Sequence, residues 1–101
     1  MNYAIKPELL YQLVEQDAYF IDIRDSHQFN ELHIKNFNNM TKEQFYQYLP
    51  NLSKSKPIYL MCYQGISTKD IVNNLRTMNY QAYYIDGGFQ AFLNLNNTKY
   101  F

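Results

Sequence analysis

The chain has 101 residues, enough for one hydrophobic core without disulfides or a structural metal, and residues 1–101 read as one domain. Its apolar fraction of 47% is ordinary for a globular protein, and nine basic residues balance nine acidic ones without a block of like charge, which argues against a nucleic-acid tail or a membrane-binding face. A single cysteine excludes an internal disulfide and a zinc site built from several cysteines, and a lone thiol fits a reducing compartment.

Met1 to Tyr11 lacks the basic start and apolar stretch of a signal peptide. The longest nearly apolar run, Pro57 to Tyr63, is too short to span a bilayer. The expectation is a cytoplasmic protein with neither a membrane nor a nucleic-acid partner.

In chain order, Tyr3 to Ile5 is a short first strand. Pro7 suits the first position of a helix whose apolar face carries Leu9, Leu10, Leu13 and Val14. Ala18 to Ile23 reads as a buried strand ending at Asp22-Ile23-Arg24-Asp25, and Ser26 to Leu32 as a short helix. Phe37 to Met40 is a weak strand candidate. Thr41, with Gln44 three positions on, forms a capping box for a helix running to Leu49 and stopped by Pro50.

Ile58 to Met61 is the best strand in the chain, entered from Pro57 and ending directly at Cys62. Beyond Gly65, Ser67 or Thr68 is expected to cap a helix with Ile71, Val72, Leu75 and Met78 on its apolar face. Gln81 to Ile85 is the next strand. Asp86-Gly87-Gly88 is a turn in which Asp86 is a candidate cap, and Phe89 to Leu95 is a final short helix. Short strands alternating with helices predict an α/β protein: a central, mainly parallel sheet of four to five strands with helices on both faces.

The chemistry-bearing stretch is Cys62-Tyr63-Gln64-Gly65-Ile66-Ser67-Thr68, between the best strand and an amphipathic helix. In an open α/β sheet ligands bind at the carboxyl ends of the strands, which is where this loop falls. A tight loop there can turn successive backbone N–H groups inward as a nest for an anion. Gly65 tolerates positive φ, and the positive end of the following helix faces the same spot. A thiol so placed is favoured as the thiolate, a nucleophile that needs no histidine partner. Lys69, in the first helical turn, is mildly unfavourable for the helix itself and is explained by attraction to an anionic substrate. Against this, a single cysteine after an apolar run is more often a buried small hydrophobe than a nucleophile. The loop context brings the two readings level.

The loop from Cys62 to Thr68 resembles the active-site loop of the rhodanese-like family, commonly C-R-x-G-x-R followed by Ser or Thr. Three further segments resemble that family in order and spacing across Ala18 to Phe92. Asp22-Ile23-Arg24 is similar to the D-I-R that ends its second strand. Phe29 with His33-Ile34 is similar to its E-F-x-x-G-H-I segment, and Ile85-Asp86-Gly87-Gly88-Phe89-Gln90-Ala91-Phe92 to its x-x-G-G-F-x-x-W segment. Within the family the loop looks like that of the single-domain thiosulfate sulfurtransferases, C-Y-x-G-x-S-S/T-K, matched by Cys62-Tyr63, Gly65 and Ser67-Thr68-Lys69.

The resemblance implies that Cys62 takes sulfur as a persulfide from thiosulfate or another persulfide. It implies transfer to a small thiol, a protein cysteine or, in an assay, cyanide, without a metal or organic cofactor. It also implies that Tyr63, Gln64, Gly65, Ile66, Ser67, Thr68 and Lys69 form the substrate-binding loop. This sequence departs from the pattern at several positions. Tyr63 and Ser67 stand where many relatives have Arg, so an anion is held with less charge. Leu32 and Asn36 replace glycines flanking His33, and Phe92 replaces a Trp.

Asp22 and Arg24 are expected to be a structural pair bracing the loop, since neither type buries well unless paired. For Lys69 the plainer alternative is a solvated helix face. His27 and His33 fall in a surface turn and a packing segment. Tyr80 to Tyr84 is a packed strand, since no basic patch accompanies it as a base-stacking surface would need. No G-x-G-x-x-G or P-loop is present. A cysteine phosphatase needs an Arg six residues after the Cys to clamp the oxyanion, and that position is Thr68. The other competing class is a non-catalytic module of the same family, used for partner binding or sulfur sensing.

Overall fold

Five parallel strands form one sheet in the computed structural model, which describes residues 2–95. They are β1 (Ala4–Ile5), β2 (Tyr19–Asp22), β3 (Asn38–Asn39), β4 (Ile58–Met61) and β5 (Ala82–Ile85), ordered β1-β5-β4-β2-β3. All four residues of β4 are buried, as a central strand covered on both faces requires. Ile58 and Leu60 point into one core layer with Ile71, Val72 and Leu75, while Tyr59 and Met61 point into the other with Leu10, Phe20, Phe89 and Phe92.

Four helices connect the strands, α1 (Leu10–Leu13), α2 (Ser26–Glu31), α3 (Lys42–Tyr48) and α4 (Ile66–Thr77), and α5 (Gly88–Leu93) follows β5. The capping box of α3 is present in full: Thr41 Oγ1 accepts from the Gln44 N–H at 3.0 Å, and Gln44 Oε1 accepts from the Thr41 N–H at 2.9 Å. This helix gives way to a 3-10 turn at Leu49–Asn51, with Pro50 inside the turn. Asp25 caps α2 through the Gln28 N–H. No helix among the described residues is long and apolar enough to cross a membrane.

The sequence expectations need four corrections. Pro7 opens a 3-10 turn, Pro7–Leu9, before α1 proper; that turn points Leu9 outward, leaving Leu10 and Val14 as the fully buried positions. α4 starts at Ile66, so neither Ser67 nor Thr68 is its cap. Gly65 holds that position at φ +83°, a left-handed conformation that turns the chain straight into the helix. Asp86 does not cap α5 either, because Gly87 at φ +73° occupies the cap; the Asp86 N–H instead donates to the Ile5 carbonyl at 2.8 Å, tying β5 to β1. α5 begins one residue earlier and ends two earlier than its apolar pattern implied.

Asn36, at a position where the resembled pattern has glycine, adopts φ +70°, a region asparagine tolerates better than most residues. Its Nδ2 donates to the Val14 carbonyl at 2.7 Å, so the asparagine gains a tether between the end of α1 and the chain after α2.

Candidate active site

Cys62 leaves the carboxyl end of the central strand and is 7% exposed. Its Sγ accepts the Gly65 N–H at 3.1 Å and lies 3.3 Å from Thr68 Oγ1. Gly65 can offer that N–H because its left-handed φ folds the loop back over the sulfur. Thr68, in the first turn of α4, is fully buried, so its hydroxyl serves the sulfur and not solvent. Two groups able to donate hydrogen bonds therefore converge on one sulfur at the amino end of a 12-residue helix, an arrangement that favours negative charge there. Cys62, Tyr63, Gln64, Ile66 and Ser67 line a shallow recess of about 300 Å³.

The loop is clamped from the β5–α5 turn. The Phe89 N–H donates to the Cys62 carbonyl at 2.8 Å and the Gln90 N–H to the Tyr63 carbonyl at 2.9 Å. These amide groups of the first turn of α5 are thus spent on the cysteine loop. Gly88 permits the approach: a Cβ at that position would lie 2.5 Å from the Cys62 carbonyl oxygen and 2.7 Å from the Gly65 nitrogen.

Asp22 and Arg24 form a fork at the end of β2. Arg24 Nη2 donates to Asp22 Oδ2 at 2.8 Å and Nε to the same oxygen at 3.0 Å, while the Arg24 backbone N–H donates to Oδ1 at 2.9 Å. Both side chains are buried. Nη2 also reaches the Leu32 carbonyl at 2.9 Å, and the guanidinium lies 3.8 Å from the Phe89 ring centre. The pair thereby joins β2, the end of α2 and the start of α5 beside the cysteine loop.

Lys69 is not brought into this recess. It lines a separate depression with Tyr3, Asn73, Tyr84 and Asp86 on the β1 side of α4. His27 pairs with Glu31 at 3.2 Å on the exposed face of α2, and His33 stacks on Phe29 with Nδ1 2.8 Å from the Phe29 carbonyl. Among the described residues, no three His, Cys, Asp or Glu side chains group as a metal site. Sequence reasoning missed Gly88 as part of the loop's support. It also missed the recess between α2 and α5 that meets the cysteine loop at Tyr63. The paired glycines before an apolar helix were the available signal for the first; the second has no local signal.

The Rhodanese-like domain family profile matches residues 6–95. The chain is 31% identical over 83 residues to the thiosulfate sulfurtransferase GlpE of Vibrio cholerae, covering 81% of this chain and 78% of that protein. It is 35% identical over 71 residues to the protein of the same name from Tolumonas auensis, covering 69% and 67%. Among solved structures, a rhodanese-related protein from Thermoplasma volcanium superposes with a TM-score of 0.80 over 94% of both chains at 20% identity, a likeness of fold. With this fold, this loop and these relatives, the chain belongs to the rhodanese-like domain family.

Proposed function

We propose that Cys62 accepts a sulfane sulfur as a persulfide and passes it to a thiol, with residues 1–101 acting as one domain. The broader class, a rhodanese-like sulfurtransferase, rests on the family match and on relatives named thiosulfate sulfurtransferase. The observation that carries the finer reading is the Gly65 N–H 3.1 Å from Cys62 Sγ, with the Thr68 hydroxyl 3.3 Å away on the same sulfur. Donors in those positions stabilise a thiolate before reaction and a persulfide anion after it.

With thiosulfate, the Cys62 thiolate attacks the outer sulfur. A new S–S bond forms, the S–S bond of thiosulfate breaks, and sulfite departs with the electron pair. An acceptor thiolate, or cyanide in an assay, then attacks the outer sulfur of the persulfide and regenerates the Cys62 thiolate. Tyr63, Gln64, Gly65, Ile66, Ser67 and Thr68 surround the reacting sulfur, while Asp22 and Arg24 hold the loop in place as positioning residues. Lys69 has no part in this reading.

Intact-mass analysis tests it. Incubation with thiosulfate or a protein persulfide adds about 32 Da, reversed by cyanide or dithiothreitol and absent in Cys62→Ser. A protein that gains no sulfur from either donor is a binding module and not a sulfurtransferase.

A further inference from the structure

The depression on the β1 side of α4 measures about 480 Å³ and shares no lining residue with the cysteine recess. Lys69 and Asn73, one helical turn apart on α4, line it together with Tyr3, Tyr84 and Asp86. Asp86 directly follows β5, at the carboxyl end of the sheet, where open α/β folds take their ligands. Tyr3 is held as a fixed wall. The Arg76 guanidinium lies 3.9 Å from its ring centre, and Arg76 Nε donates to the Ala82 carbonyl at 2.9 Å.

The polar groups around this depression are unspent. Among the described residues, the Lys69 ammonium and the Asp86 carboxylate make no ion pair or hydrogen bond, with each other or with any other side chain. Tyr84 is only 8% exposed, yet its hydroxyl has no hydrogen-bond partner among the described residues, where a buried phenol usually finds one. Lys69 also opposes the dipole of α4 from its first turn, and the cysteine chemistry makes no use of it. One unpaired cation and one unpaired anion in a single hollow match a ligand that carries both charges. An anion alone would face Asp86, and a cation alone would face Lys69.

We propose that this depression is a second ligand site, for a small zwitterion of the α-amino acid class. The ligand's carboxylate meets Lys69, its ammonium meets Asp86, and its side chain lies against the Tyr3 ring. The Tyr84 hydroxyl and the Asn73 amide supply the remaining polar contacts. The volume falls within the range of small-molecule sites, about 300–1,000 Å³. None of these residues touches Cys62, so the site stands apart from the sulfur-transfer reading.

Amide NMR of the isotope-labelled intact chain tests this with three probes of one shape: L-phenylalanine, hydrocinnamate, which lacks the ammonium, and phenethylamine, which lacks the carboxylate. Phenylalanine should shift the amides of Tyr3, Lys69, Asn73 and Asp86 together and saturate at roughly millimolar concentration. Removing either ligand charge should weaken binding about twofold to fivefold. Lys69→Met should lower phenylalanine to the affinity of phenethylamine, and Asp86→Asn should lower it to that of hydrocinnamate. Both substitutions are at exposed positions, and the spectra themselves report that the fold is kept. Absence of a saturable shift, shifts centred on the cysteine recess, equal affinity for the three probes, or parent affinity in both variants overturns the site. No sulfur donor is present, so the outcome is independent of whether Cys62 carries sulfur.

Discussion

Gly88 and the Cys62 carbonyl are so close that no side chain fits between them: a Cβ at Gly88 would lie 2.5 Å from that oxygen. Gly88 also sits at φ +65°. Gly88→Ala therefore has to move the cysteine loop or the start of α5, at a cost of about 2–4 kcal/mol from overpacking and the left-handed backbone together. Urea unfolding should show that loss, and the persulfide yield should fall with it. Gly87→Ala gives a useful contrast, because its Cβ meets only the Ala91 side chain at close range, at 2.6 Å. Adding Ala91→Gly should recover part of that loss, whereas no single trimmed side chain can rescue Gly88→Ala.

Arg24→Ala leaves the Asp22 carboxylate buried and unpaired. The expected cost is about 3–5 kcal/mol, read from urea midpoints. Arg24→Lys keeps the charge but loses the fork and the stacking on Phe89, so its stability should fall between the two. A loss below about 1 kcal/mol for Arg24→Ala would mean the pair does not hold the structure together.

Thr68→Val preserves shape and removes the hydroxyl 3.3 Å from Cys62 Sγ. Persulfide formation should slow about tenfold to a hundredfold, the worth of one hydrogen bond to a charged group, while Thr68→Ser keeps most of the rate. Stopped-flow alkylation of Cys62 measured alongside separates a slower nucleophile from weaker donor binding. Equal rates for Thr68→Val and the parent chain would remove the hydroxyl from the mechanism.

Tyr59 is packed between Phe20 and Tyr83 at ring-centre distances of 5.5 and 5.4 Å. Burial, and then the neighbouring Tyr83, push its phenol above the ordinary value of 10.0. The unfolded chain releases this proton at lower pH than the folded one. The contribution is therefore fully present below about pH 10 and is lost as pH rises through the folded value. Tyr59→Phe should lose less stability between about pH 9 and pH 11 than the parent chain, as followed by urea midpoints at each pH. An identical alkaline loss in both would contradict this.

Much of the sheet was legible because its signals are local. The run Ile58 to Met61, the capping box at Thr41 and Gln44, and the apolar positions Ile71, Val72 and Leu75 each depend on close neighbours in the chain. The start of α4 was misread because Ser and Thr usually lead at caps, and a glycine already in the left-handed region displaced them. The fit of Gly88 against Gly65 and the meeting of Leu32 with Leu93 at one recess were not legible. Both depend on how β5 and the helices pack, a matter of tertiary distance that no local pattern carries. The same holds for Lys69, whose position in the helix was right and whose direction from the sulfur was not readable.

The parallel order of the strands also sets when the loop around Cys62 gains its brace. β1 pairs with β5, joining Ala4 to Tyr84, and the clamp on Cys62 comes from Phe89 and Gln90. During synthesis the thiol thus leaves the ribosome well before the segment that braces its loop. Until Phe89 and Gln90 emerge, the nascent chain carries a sulfur without its scaffold, and any chemistry at that sulfur should wait for them.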